Sequence, residues 1–177
     1  MSSSVPTIFT HPAVPLALAW GRGRGGPSGR LLAAGICASV LPDLDVIAFR
    51  LHVPYAAAFG HRGFSHSLLC AAVLAALAAL CAPALRAARR ESFVFVFLAA
   101  ASHGVLDAFT NGGLGVAFFW PWSTTRWFAP WRPIEVSPLG LARFLSPRGL
   151  AVLASELVWV WLPLFGIAAL LRRRRSR

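Results

Sequence analysis

Residues 68–85 read LLCAAVLAALAALCAPAL, an apolar run without one charged side chain. A helix of roughly 20 such residues matches the hydrocarbon core of a bilayer, where backbone amides must bond within their own segment. Four further stretches share this character, at about 5–20, 31–51, 92–109 and 150–171, and none alternates as a strand would. The first is short for a crossing, and LPDLD interrupts the second. These runs predict an all-α fold, a polytopic membrane bundle of 4–5 transmembrane helices. It would form a single domain over 1–171, with a basic cytoplasmic tail at 172–177.

Composition agrees: 57% of residues are hydrophobic and 13% charged, against roughly 25% charged in soluble domains. The net charge of +11 comes from 17 arginines and no lysine. In a soluble chain that balance would suggest nucleic acid. Here the arginines sit at the ends of apolar runs, so membrane topology explains them and nucleic acid is not expected as a partner. If all five segments cross, Arg22, Arg24, Arg30, Arg86, Arg89, Arg90 and the closing RRRRSR share one side. Arg50, Arg62, Arg126, Arg132, Arg143 and Arg148 are spread thinly over the other. The positive-inside rule then predicts a multi-pass inner-membrane protein with its N-terminus outside and its C-terminus in the cytoplasm. The opening MSSSVPTIFTHPAV has no basic n-region and reads as mature sequence. GRGRGG at 21–26 matches a phosphate-loop spacing but follows an apolar helix, so it reads as a flexible basic turn. Cys37, Cys70 and Cys81 lie in apolar stretches, are expected to be small buried hydrophobes, and form no CxxC pair.

Ionisable side chains inside a span are costly and mark function by default. Under this topology they collect at one face. His11 lies at the outer start of the first segment, Asp43 and Asp45 in the outer half of the second, and His61 and His66 at the mouth of the third. His103 and Asp107 occupy the last turns of the fourth, and Glu156 lies about two turns into the fifth.

The spacing carries chemistry. His103-x-x-x-Asp107 places an imidazole and a carboxylate on one helix face, a pair suited to zinc or a similar borderline metal. Asp43 and Asp45 would point about 200° apart on a regular α-helix, but both could face inward if Pro42 makes the segment irregular. In FGHRGFSHSL, at 59–68, Ser65 is expected to cap the third helix, with His66 in its first turn. Trp120, Trp122, Trp127 and Trp131 suggest an interfacial aromatic belt or a lid over the polar layer, and Gly112, Gly113 and Gly115 allow a tight return after Asp107.

The ordered set H…PDxD…GHRGxSHS…SHxxxDxxT…WP, over about residues 10–123, resembles the YdjM-like family of predicted inner-membrane, metal-dependent hydrolases. That family looks distantly similar to zinc-dependent phospholipases C and single-strand nucleases. The resemblance implies metal ligands among His11, Asp43, Asp45, His61, His66, His103 and Asp107, with Glu156 as a possible auxiliary. It implies one or two divalent ions, zinc foremost and manganese or iron as alternatives, because this chain has no histidine after 103.

Together these readings predict a metal-dependent hydrolase at the outer membrane surface, cleaving a phosphoester of a lipid or lipid-linked phosphate. Asp43 or Asp45 would orient or deprotonate the attacking water, and Arg62 would bind phosphate oxygens. The partners expected are membrane lipid and a small substrate from the lipid phase. The competing readings are a metal or proton transporter, which needs polar groups reaching both sides, and a non-catalytic scaffold pinned by a closed structural metal site.

Overall fold

The computed structural model describes residues 4–5, 10–138 and 146–176; Arg143 and residues 6–9 of the first apolar segment lie outside them. Helix α1 spans Ala13–Arg22. Its ten residues reach about 15 Å, half a hydrocarbon core. Helix α2, Gly29–Val40, is capped by Ser28, whose Oγ accepts a hydrogen bond from the Leu31 amide at 3.1 Å. It runs into a 3₁₀ helix, Leu41–Val46, where Pro42 occupies the first turn, and then into α3, Ile47–Arg50.

A loop leads through a 3₁₀ turn, Phe64–His66, to α4, Leu68–Leu80, which continues after Cys81 as α5, Ala82–Leu85. The cap of α4 is Ser67, accepting from the Cys70 amide at 3.1 Å, not Ser65 as the sequence suggested. Helix α6, Arg89–Ala108, is continuous over 20 residues. After a long loop, α7 (Pro147–Glu156), a π-helical turn (Leu157–Trp161) and α8 (Leu162–Arg175) form one unbroken rod, so the basic tail is helical through Arg175. A two-residue antiparallel pair joins β1, Ser4–Val5, to β2, Ser137–Pro138.

Three helices are long and apolar enough to cross a membrane: Gly29–Arg50, Arg89–Ala108 and Pro147–Arg175; Leu68–Leu80 is a shorter apolar helix. Helix α6 is central, packed against α2 and α4, while α8 packs along α1. The core between them is built from Leu31, Ala38, Ala71, Ala75, Phe95, Val96 and Ala100. Small residues let backbones approach closely, which is how helices associate when lipid removes the hydrophobic drive. Gly35 shows how closely: a Cβ there would meet the Phe95 ring at 2.5 Å. Large apolar side chains such as Leu77, Leu80, Leu157 and Leu170 face outward, as lipid contact requires. Against expectation the cysteines share that outer surface: Cys37 and Cys81 are exposed and Cys70 is half-buried.

Candidate metal centre

The fold brings one end of each of four helices to a common layer. Helices α1 and α4 begin there, and α2 and α6 end there, so His11, Asp43, His66, His103 and Asp107 meet although almost a hundred residues separate the first from the last. His11, His61, His103 and Asp107 are fully buried, and His66 nearly so.

The LPDLD segment solves its facing problem through its local helix type. In a 3₁₀ helix, residues two apart project about 120° from each other, less than on an α-helix, and the two carboxylates take different neighbours. Asp43 Oδ1 lies 3.4 Å from His103 Nε2, and its Oδ2 lies 3.5 Å from His11 Nε2. Asp45 instead contacts His61 Nδ1 through Oδ1, while its Oδ2 lies 3.2 Å from His66 Nδ1 and accepts from Ser65 Oγ.

Ligand atoms fall into two groups. One atom each from Asp43, His66, His103 and Asp107 lie within 4.8 Å of one another, and so do one each from Asp45, His61 and His66. His66 joins the groups: its Nε2 stands 2.9 Å from His103 Nε2 and 3.1 Å from Asp107 Oδ2. His103 Nδ1 donates to the Ser39 carbonyl at 2.7 Å. A carbonyl can only accept, so Nδ1 carries the proton and the Nε2 lone pair faces the cluster. His11 stacks on His103, ring centroids 3.7 Å apart, and its Nε2 lies 3.9 Å from Asp107 Oδ1.

The donor set fits a divalent cation. His11 Nε2, Asp43 Oδ1, His61 Nε2 and both Asp107 oxygens are buried without a well-oriented hydrogen-bond partner. Enclosed imidazole and carboxylate atoms converging in this way suit zinc, manganese or iron.

Arg62 is deeper than a substrate-binding arginine would be. It is fully buried, with Nε 3.0 Å from Asp107 Oδ2, and its Nη1 donates to Thr110 Oγ1 at 3.1 Å and the Gly112 carbonyl at 2.9 Å. Nε has this ion-pair contact but no hydrogen bond, and Nη2 has no hydrogen-bond partner. The backbone here is left-handed, φ 60°, and is held on both sides: the Arg62 amide donates to Asp45 Oδ2 at 3.1 Å and its carbonyl accepts from the Ala117 amide at 3.1 Å. Gly113, at φ 83°, closes the return after Asp107, and a Cβ there would stand 2.8 Å from Arg62 Nη1. Glu156 is buried at the end of α7 but belongs to neither ligand group.

Several participants escaped the sequence reading. Ser39 supplies a backbone carbonyl, which no side-chain pattern reveals. Ser65 binds Asp45 and lies 3.0 Å from His66 Nδ1. Arg126, counted only as a topology charge, donates to the carbonyls of Tyr55 (2.9 Å), Ala57 (3.1 Å), His61 (3.0 Å) and Gly115 (3.4 Å), tying the 110–136 loop over the histidine loop. Burial pulls its pKa below the ordinary arginine value, although a guanidinium remains charged. Trp122, Trp127 and Trp131, on the same loop, are well exposed, as an interfacial belt requires.

A groove of about 480 Å³ runs beside this centre. Leu41, Leu44, Ile47, Phe59 and Leu74 line it, with Asp45 and Ser65 also in its wall.

A protein-family model described as YdjM inner membrane protein matches residues 7–175. The chain is also 46% identical over 160 residues to inner membrane protein YbcI of Escherichia coli (strain K12), covering 90% of this chain and 92% of that one. No solved structure matches, so the likeness to soluble phospholipases C and nucleases rests on motif order alone.

Proposed function

The chain belongs to the YdjM inner membrane protein family, and on that footing we propose that it is a membrane-embedded, metal-dependent hydrolase of lipid or lipid-linked phosphoesters. The observation that carries this reading is the meeting of Asp43, His66, His103 and Asp107, with His11 beside them, in a buried cluster where Asp43 Oδ1, His11 Nε2 and both Asp107 oxygens have no well-oriented hydrogen-bond partner. These residues would hold one divalent ion, with Asp45, His61 and His66 forming an adjoining group of donors.

When bound, such an ion lowers the pKa of water toward about 7 and polarises a phosphoryl oxygen. The chain's own groups do the rest. Asp43, at 14% the more exposed of the two LPDLD carboxylates, stands where water can enter and would accept its proton. Asp45 is occupied by His61, Ser65, His66 and the Arg62 amide, so it positions imidazoles rather than reacting. Arg62, fully buried against Asp107, would fix that ligand's orientation. The apolar groove reaching Asp45 favours a substrate that arrives with a hydrocarbon chain.

Transport fits less well. Below the polar layer, toward the basic end, the helices meet through the apolar cluster of Leu31, Ala75, Ala78 and Phe95.

The test is elemental analysis of detergent-purified protein together with hydrolysis of phosphatidic acid and a lipid-linked monophosphate after zinc or manganese loading. Bound metal in wild type, lost in His103→Ala and Asp107→Ala along with hydrolysis, is the expected result. Metal-free wild type after reconstitution would end the reading, and bound metal with no hydrolysis would leave a structural metal site.

A further inference from the structure

The metal centre leaves the opposite end of the molecule unused, and that end has a built cavity of its own. Arg22, Arg24, Arg172 and Arg175 surround a space of about 600 Å³. A second cavity of about 200 Å³ shares Arg22 and Arg175 with it and runs between α1 and α8 along Val14, Leu18, Leu164 and Leu171. A strongly basic chamber therefore adjoins an apolar groove. Among the described residues, no carboxylate lines either space. Glu91, in the first turn of α6, makes no ion pair with these arginines among the described residues. Arg22 lies 5.8 Å from the Phe95 ring centroid, and its Nη1 is enclosed without any hydrogen-bond acceptor. Arg172 stacks on Trp20 at 5.4 Å.

We propose that this end binds one anionic diacyl phospholipid. Its phosphate sits among Arg22, Arg24 and Arg175, and one acyl chain lies in the groove between α1 and α8. Charge and shape select the occupant: guanidinium forks match phosphate oxygens, and the adjoining groove gives a soluble anion nothing to fill. The site is independent of the proposed hydrolase chemistry.

Native mass spectrometry of the full-length protein in detergent, titrated with dioleoyl-phosphatidylglycerol or dioleoyl-phosphatidylcholine, tests it. The phosphatidylglycerol adduct should persist where the phosphatidylcholine adduct does not. Arg22→Gln/Arg175→Gln should weaken it by on the order of tenfold or more, since each arginine near a lipid surface contributes substantially to anion binding. Leu164→Trp, which fills the groove and keeps every charge, should weaken it too, and it carries the test if the double variant does not fold. Equal retention of the two lipids, or retention unchanged in Leu164→Trp, would overturn the proposal. So would displacement of phosphatidylglycerol by glycerol 3-phosphate, which would make this a site for soluble phosphates.

Discussion

Ser65 and Ser67 lie two residues apart and serve different ends. Ser67 caps α4, so Ser67→Ala should cost about 1 kcal/mol of stability and leave metal content unchanged. Ser65 touches Asp45 and His66, so Ser65→Ala should weaken metal retention by roughly 10–100-fold, the usual effect of removing a group that orients a ligand. Competition against a calibrated chelator, beside thermal unfolding in detergent, separates the two. The same residue-level logic applies to Arg126. Four carbonyls share its guanidinium, and lysine is a point donor that cannot reach them together. Arg126→Lys should therefore destabilise nearly as much as Arg126→Ala, by about 2 kcal/mol, read as a lower melting temperature and faster proteolysis in the 110–136 loop.

At the scale of elements, two close approaches hold the site. The first is α2 on α6, where Gly35 admits the buried Phe95 ring. Gly35→Leu should overpack this contact and cost about 1–3 kcal/mol, with Gly35→Leu/Phe95→Leu recovering part of the loss in thermal unfolding. The second is the return loop after α6. Gly113→Ala imposes a left-handed alanine whose Cβ would crowd Arg62 and the Tyr55 hydroxyl, 2.6 Å away. Strain of about 1–3 kcal/mol is expected, together with weaker metal retention through the Arg62–Asp107 pair. If Gly113→Ala lost stability but kept its metal affinity, Arg62 would be shown not to govern the ligand geometry.

For the whole molecule, the two ends are chemically opposite. The histidines and aspartates crowd one end of the bundle, and Arg22, Arg24, Arg30, Arg86 and Arg172 mark the other. Arg30, for example, bonds the Ala84 carbonyl at 3.0 Å. By the positive-inside rule, the basic end is expected to face the cytoplasm. A green fluorescent protein fused after Arg177 should therefore fluoresce, and a membrane-impermeant chelator should strip metal from intact spheroplasts. A dark fusion and protected metal would reverse the orientation.

The sequence by itself determined the parts that depend on local composition. Hydropathy located the helices because burying a backbone in lipid demands long apolar runs, and it placed Gly29–Arg50, Arg89–Ala108 and Pro147–Arg175 within a few residues. Helical periodicity paired His103 with Asp107 for the same local reason. The scarcity of charge in the spans made the remaining His and Asp residues conspicuous, so the cluster was legible as a set. Tertiary structure alone decided how the set divides. Asp43 and Asp45 part company because Leu41–Val46 winds as a 3₁₀ helix, and His66 lies between two ligand groups because α4 starts beside the end of α6. Arg62 turns inward to Asp107 because a left-handed backbone directs it there. Glu156, promising by depth, falls outside both groups because depth along a helix says nothing about the direction it faces. Distances between residues far apart in the chain are set by packing, and no local pattern encodes them.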